Sequence, residues 1–208
     1  MLVVIMIVTA YLVGSLPTAV IAGRLLKGVD VRTEGSGNAG ATNAARVLGF
    51  TAGLVVAAVD VAKGLAAVLL VSRIATLPGS EGAVFCAVAA VAGHVFPVFA
   101  GFRGGKGVAT LGGAAAGLFP VLAPACLLCF LVVAVLSRIV SLASLAAALA
   151  LPALYLAACA LGALFDPWRM GFAAAAFLIA VFTHRANIGR LVRGEEKKVD
   201  FRGLSRRG

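Results

Sequence analysis

Long apolar runs separated by short polar patches dominate the chain, and the patches recur too rarely for a soluble amphipathic pattern. A helix needs about 20 apolar residues, rising roughly 1.5 Å each, to cross the hydrocarbon layer of a membrane. Residues 2–23, 50–72, 82–101, 142–164 and 169–184 each predict such a span. Residues 107–136 carry no charge at all and are too long for one crossing, while Pro120 and Pro124 invite a break at Phe119. Two short helices, 107–119 and 121–136, resolve this and bring the count to seven. The expected fold is an all-α polytopic membrane protein of seven transmembrane helices, one domain over residues 1–208 with a basic tail from about 185.

Charge placement sets the orientation. With seven spans, Arg24, Lys27, Arg32, Arg46, Arg103, Lys106 and Arg138 fall on one side. The tail cations Arg185, Arg190, Arg193, Lys197, Lys198, Arg202, Arg206 and Arg207 join them. Arg73 and Arg169 alone face the other side, and Lys63 lies within a span. The positive-inside rule then places the N-terminus outside and the C-terminus in the cytoplasm, with Trp168 as an outer interfacial anchor. The first run lacks the preceding positive charge of a secretory signal and reads as an uncleaved helix. The patches at 24–46, 101–107, 137–144 and 185–196 share the cytoplasmic side by parity and are free to converge on one site.

Composition agrees: 62% of the 208 residues are hydrophobic and 12% charged, about half the charged share of a soluble domain. The net charge of +10 points to anionic headgroups rather than nucleic acid, because the tail cations directly follow a span. The four cysteines sit in apolar runs; Cys126 and Cys129 have C-x-x-C spacing without a histidine or second pair, so no disulfide framework and no metal is expected.

Two clusters carry candidate chemistry. In the first, Gly35, Gly37 and Gly40 allow close backbone approach to an anion. Ser36, Asn38, Thr42 and Asn43 add neutral donors, and Arg46 adds a bidentate cation. In the second, Gly104, Gly105, Lys106 and Gly107 open an apolar run and direct N–H groups from a helix start. The spacing is not that of a Walker loop. His94 is an intramembrane ionisable group; Phe99, five residues on, excludes an H-x-x-x-x-D box. Asp60 and Lys63 are three apart and suited to pair, as scaffold or as substrate contact. Ser141 and Asn187 add polar groups beside Arg138 and Arg190, Ser141 also being suited to cap a helix.

Taken in order, these stretches resemble the bacterial membrane family of acyl-phosphate:glycerol-3-phosphate acyltransferases. The matching segments are Gly14-Ser15-Leu16-Pro17, Asp30-Val31-Arg32 with Gly35 to Arg46, Asp60 with Lys63-Gly64, and Gly93 to Phe99. Phe102 to Gly107, Val140-Ser141-Leu142 and Asn187 to Leu191 complete them. Ala39, Ala44 and Glu195 depart from the pattern. The resemblance implies transfer of a fatty acyl group from acyl phosphate to the 1-hydroxyl of glycerol 3-phosphate, giving lysophosphatidate and phosphate in phospholipid synthesis. It implies no cofactor, no covalent intermediate, a site on the cytoplasmic face of the bacterial inner membrane, and a soluble enzyme supplying acyl phosphate. Ser36, His94 and Asn187 become the expected catalytic residues. Gly35, Gly37, Asn38, Gly40, Thr42, Asn43, Arg46, Lys63, Gly104, Gly105, Lys106, Gly107 and Ser141 become the expected substrate contacts. His94 is expected to bond the acceptor or act as base, with a substrate phosphate as the alternative, since no carboxylate–histidine pair is evident.

A small-anion transporter is the rival from another class, because helix-end glycine loops also bind permeating phosphate. A metal-dependent phosphatidyl-transferase would want clustered aspartates, which the eight acidic residues do not form.

Overall fold

A computed structural model describes residues 1–198; Arg202, Arg206 and Arg207 of the tail lie outside the described residues. The described chain is all helical: α1 (Leu2–Gly14), α2 (Thr18–Lys27), α3 (Ala41–Leu48), α4 (Phe50–Leu69), α5 (Glu81–Val95), α6 (Val108–Leu118), α7 (Ala123–Ser137), α8 (Val140–Ala160), α9 (Pro167–Thr183) and α10 (Arg185–Val192).

Four helical stretches are long and apolar enough to cross a membrane: Leu2–Lys27, Phe50–Ile74, Glu81–Ala100 and Val140–Ala160. The α9–α10 pair, bent by 66°, makes a fifth, while α6 and α7 are apolar but short. By length alone the count is therefore four or five rather than seven. The charge-free stretch does divide at the expected place: α6 ends at Leu118, and Phe119 has φ −133° and ψ 62°. Pro120 disfavours helical backbone at the residue before it. The sequence reading missed the interruption of the first span at Ser15–Pro17, the short helix α3 inside the first glycine cluster, and the bend at His184. Pro17 supplies no N–H, and helix resumes only at Thr18.

Outward faces carry Leu54, Leu128, Leu136, Leu149 and Leu178, all exposed, whereas Asp60, Lys63, His94, Ser141 and Asn187 are buried. Apolar outside and polar inside suits a lipid surround. At the end remote from the polar residues, Phe119 packs edge-on to Tyr155 (centroids 5.3 Å apart) and stacks on Phe172 (6.3 Å).

The relation of α3, α4 and α6 positions the site. A Cβ at Gly53 would lie 2.7 Å from the Cα of Ala45, so α3 lies tightly against the first half of α4. Gly64, about 20 Å along α4 at 1.5 Å per residue, meets the carbonyl of Thr110 near the start of α6, and a Cβ at Gly117 would approach Val68 to 2.6 Å. Helix α6 therefore runs along the second half of α4 only, which explains its 11 residues. Above its first turn, α3 and the glycine loops occupy the remaining volume.

Candidate active site

The first glycine cluster is part loop, part helix: Thr42, Asn43 and Arg46 belong to α3. Asn43 is 1% exposed, and both ends of its amide are in use. Its Oδ1 accepts from the Ser36 backbone N–H at 2.8 Å, and its Nδ2 donates to the carbonyls of Val31 (2.7 Å) and Glu34 (3.1 Å). The Gly37 N–H donates to the Glu34 carbonyl at 3.0 Å. Asn43 thus spends its amide on folding the loop. Gly35 sits at φ +64°, with no room for a Cβ beside Asn43. Ser36, Thr42 and Arg46 remain exposed, and Asn38 is half-buried near Gly40.

Arg32 ties this loop to the second cluster. Its guanidinium clasps Asp30 (2.7 to 3.2 Å) and donates to the Ala100 carbonyl at 2.6 Å. The hydrogen bond from Arg32 lowers the Asp30 carboxyl to about 2. A cavity of about 290 Å³ opens beside Arg32, walled by Leu16, Pro17, Val20, Ile21 and Phe99, with Arg24 at its edge.

In the second cluster, the N–H groups of Gly104 and Gly105 donate to the carbonyls of Val95 and His94, both at 3.2 Å. These two donors were expected to face an anion; instead they fasten the loop onto the end of α5. Gly105 has no space for a side chain. A Cβ there would collide with His94 Nε2 and sit 2.8 Å from the Ala39 carbonyl. The two glycine clusters therefore touch at Ala39 and Gly105. Gly107, with φ +78°, caps the start of α6.

Lys106 opens a third group. Its ammonium donates to Asn187 Oδ1 at 2.5 Å, and its carbonyl accepts from the Thr183 hydroxyl at 3.2 Å. Asn187 in turn donates to Glu196, as do Ser141 (2.8 Å) and Arg190 (2.6 Å). Burial depresses the Lys106 ammonium to about 8, with Glu196 raising it and Arg190 lowering it further. Burial pushes Glu196 upward, but hydrogen bonds from Asn187, Ser141 and Arg190 outweigh that and leave it below the usual carboxylate range. Ser141 lies within the first turn of α8 rather than at its cap, Ile139, and its hydroxyl serves Glu196.

A fourth group lies beneath the loops. Asp60 Oδ1 is 2.8 Å from Lys63 Nζ, 3.1 Å from the Thr18 hydroxyl and 3.6 Å from His94 Nδ1. Lys63 also donates to the Leu16 carbonyl at 3.1 Å, at the interruption between α1 and α2. Asp60 is 2% exposed, Lys63 5% and His94 7%. A carboxylate–histidine pair therefore exists where none was evident in sequence. The buried Lys63 ammonium lies between the Asp60 carboxylate and the Leu16 carbonyl, the arrangement a scaffold ion pair takes. His94 presents Nδ1 to Asp60, 3.6 Å away, and its Nε2 edge lies in the space beside Gly105.

All four polar patches thus form one connected body, through Arg32–Ala100, Ala39–Gly105, Lys106–Asn187 and Ser141–Glu196. Several participants were not singled out from sequence, Thr18 and Thr183 among them. Glu196 was hidden among tail charges, though an acidic residue in a basic tail was the available signal. Arg32 was read as an orienting cation and as part of a matching segment, without a role in the site. His184, 2% exposed with Nδ1 2.8 Å from the Ala180 carbonyl, looked like the end of a span.

With this geometry in view, known proteins place the chain. Residues 4–194 match the family model described as glycerol-3-phosphate acyltransferase. The glycerol-3-phosphate acyltransferase of Chlorobaculum tepidum is 43% identical, covering 94% of this chain and 95% of the relative. That of Chlorobium phaeobacteroides strain BS1 is 44% identical over 97% and 98%. Among solved structures, PlsY (YgiH), an integral membrane glycerol 3-phosphate acyltransferase, matches in its glycerol 3-phosphate form with a TM-score of 0.81. Identity there is 34%, with 95% of this chain and 96% of the other covered. Its lysophosphatidic acid form matches with the same TM-score and identity. A multi-pass helical chain with buried polar clusters, matched along nearly its whole length, belongs to the glycerol-3-phosphate acyltransferase family.

Proposed function

We propose that this acyltransferase takes a fatty acyl group from acyl phosphate and delivers it to the 1-hydroxyl of glycerol 3-phosphate, releasing lysophosphatidate and inorganic phosphate. Family membership makes the protein an enzyme of glycerol 3-phosphate acylation in phospholipid synthesis and removes the transporter alternative. The observation that carries the reading is the contact of Ala39 with Gly105, which sets Lys106 beside the loop that leads to Arg46.

In this reading the exposed Arg46 and the half-buried Lys106 neutralise the phosphates, and Ser36, Asn38 and Thr42 add donors from the open side of the first loop. Asn187 orients Lys106, and Glu196 holds Asn187, Ser141 and Arg190 in place. The acceptor hydroxyl oxygen attacks the acyl carbonyl, the carbonyl–phosphate bond breaks, and the hydroxyl proton passes to an oxygen of the departing phosphate. An acyl phosphate is already activated, so positioning and charge stabilisation suffice. The departing phosphate is taken as the proton acceptor, with the His94 imidazole as the alternative. The apolar-walled cavity beside Arg32 suits the acyl chain. A soluble enzyme that makes acyl phosphate is the implied supplier.

The same reading counts α6 and α7 as two separate crossings that complete seven, N-terminus outside, with the connected polar body facing the cytoplasm of a bacterial cell. Charge bias supports it, since the cation-rich patches share one end. Two experiments test these proposals. Purified protein with labelled glycerol 3-phosphate is offered palmitoyl phosphate, acyl-CoA and acyl carrier protein separately; product is expected only with the first, and equal product from acyl-CoA overturns the donor assignment. Impermeant thiol reagents should label cysteines placed at Ser36 and Asn187 from the cytoplasmic side; labelling from opposite sides overturns the topology.

A further inference from the structure

Most of the polar groups described above face the glycine loops or α10. The Asp60 group reaches them through His94 alone. It lies about 15 Å along α4, counted from Phe50 at 1.5 Å per residue, and it contacts three separate segments. Thr18 begins α2, Lys63 holds the Leu16 carbonyl at the interruption before it, and His94 lies in the last turn of α5. Buried ion pairs rarely stabilise more than a matched apolar pair would, because both charges lose hydration. Stability alone therefore explains this group poorly, and its position explains it better.

His94 grips Gly105 twice. Its carbonyl accepts the Gly105 N–H at 3.2 Å, and its ring edge fills the space where a Gly105 side chain would stand. The following residue is Lys106. A ring free to rotate would release that edge, and with it the height of the backbone from which the ammonium reaches. Asp60 faces the other ring nitrogen at 3.6 Å, on the side from which it can oppose that rotation.

We propose that Asp60 is a positioning residue for this reaction: acting through His94, it fixes the Gly104–Lys106 backbone and so the reach of the Lys106 ammonium toward substrate phosphate. The inference rests on the phosphate-binding reading of Lys106. Lys63 and Thr18 hold the carboxylate in its place, and the Leu16 carbonyl holds Lys63.

The test compares H94Q, D60N/K63M and the triple variant; the paired replacement removes both buried charges together, so no unpaired ion remains. Supporting partners of this kind typically cost 10- to 100-fold. The KM for glycerol 3-phosphate is expected to rise about tenfold in D60N/K63M with kcat within about threefold, and the triple variant to match H94Q alone. Unchanged KM, or effects that multiply in the triple variant, overturns the proposal, since a purely structural group has no reason to act through His94. The chain has two histidines, so the imidazole nitrogen resonances of labelled protein are assigned by the loss of one in H94Q. The His94 signal is expected to shift in D60N/K63M, and an unmoved signal overturns the proposal without reference to turnover. Should wild-type protein form no product from acyl phosphate, the donor assignment falls, and the imidazole signal alone decides the positioning role. If D60N/K63M does not fold, T18V removes one hydrogen bond to the same carboxylate oxygen while keeping both charges. A His94 shift there supports the proposal and an unmoved signal overturns it.

Discussion

The Lys106 ammonium donates to the side-chain oxygen of Asn187 at 2.5 Å, joining the loop before α6 to α10 across 81 positions of sequence. Burial holds that ammonium at about 8, well below a free lysine. Its charge is present below pH 8 and is lost as pH rises through it. The kcat/KM for glycerol 3-phosphate, which reports the free enzyme, should therefore fall above about pH 8, and K106M should show a low, flat profile across the same range. Stability runs the other way. Between about 8 and 10.5 the unfolded chain binds a proton that the folded chain lacks, so this group's contribution to stability rises with pH. Rate and thermal midpoint measured on one pH series check both signs.

Gly105 is enclosed by His94 and Ala39. The variant G105A must push the two glycine clusters apart, because one obstacle is the backbone carbonyl of Ala39 at 2.8 Å. A misplacement of about 1 Å is enough to cost roughly 100-fold in rate. Steady-state kinetics should show that loss in kcat/KM, while G112A, at a position open to space, should remain close to wild type.

Asn43 makes three hydrogen bonds inside its own loop. Its replacement by Ala leaves buried backbone groups without partners, at about 1–3 kcal/mol each. The expected result is a lower thermal midpoint and faster proteolysis between Val31 and Gly40, with activity lost as a consequence of loop opening. A variant with an unchanged midpoint and lost activity would mark Asn43 as a direct substrate contact.

Arg46, three residues further along α3, is exposed. The variant R46A should leave the thermal midpoint within about a degree or two, since surface changes fall within roughly 0.5 kcal/mol. The KM for glycerol 3-phosphate should rise about 10- to 100-fold, as loss of a charge-assisted phosphate contact implies. Lysine at this position should recover little of the loss, because it lacks the planar fork.

Much of the architecture was legible because lipid imposes one rule on every span, and runs of Leu, Val and Ala obey it visibly. The break at Phe119 followed from Pro120 and Pro124 within a run too long for one crossing. Length was the weaker guide: α6 is short because it starts beside Gly64, a tertiary relation that no local pattern carries. The site residues were found as types, and their duties were harder to read. Glycine clusters suggest free N–H donors, yet Gly37, Gly104 and Gly105 donate to nearby carbonyls. Asn43 and Asn187 look alike in sequence; one folds a loop and the other holds a cation, because α3 and α10 turn their amides toward different neighbours. The pairing of Asp60 with His94 spans 34 positions and became visible only when α4 and α5 were placed side by side.

Helix α6 begins well along α4, with the glycine loops resting on it. An enzyme whose reactive groups stood clear of the bilayer would have to draw its greasy donor out of the lipid first. For a palmitoyl tail that extraction costs roughly 12 kcal/mol, at about 0.8 kcal/mol per methylene. In the proposed reaction, a meeting point sunk into the thickness of the protein would let a tail stay solvated by hydrocarbon while its phosphorylated end reaches the water-soluble acceptor, so that a truncated α6 would spare the enzyme that extraction work at every turnover.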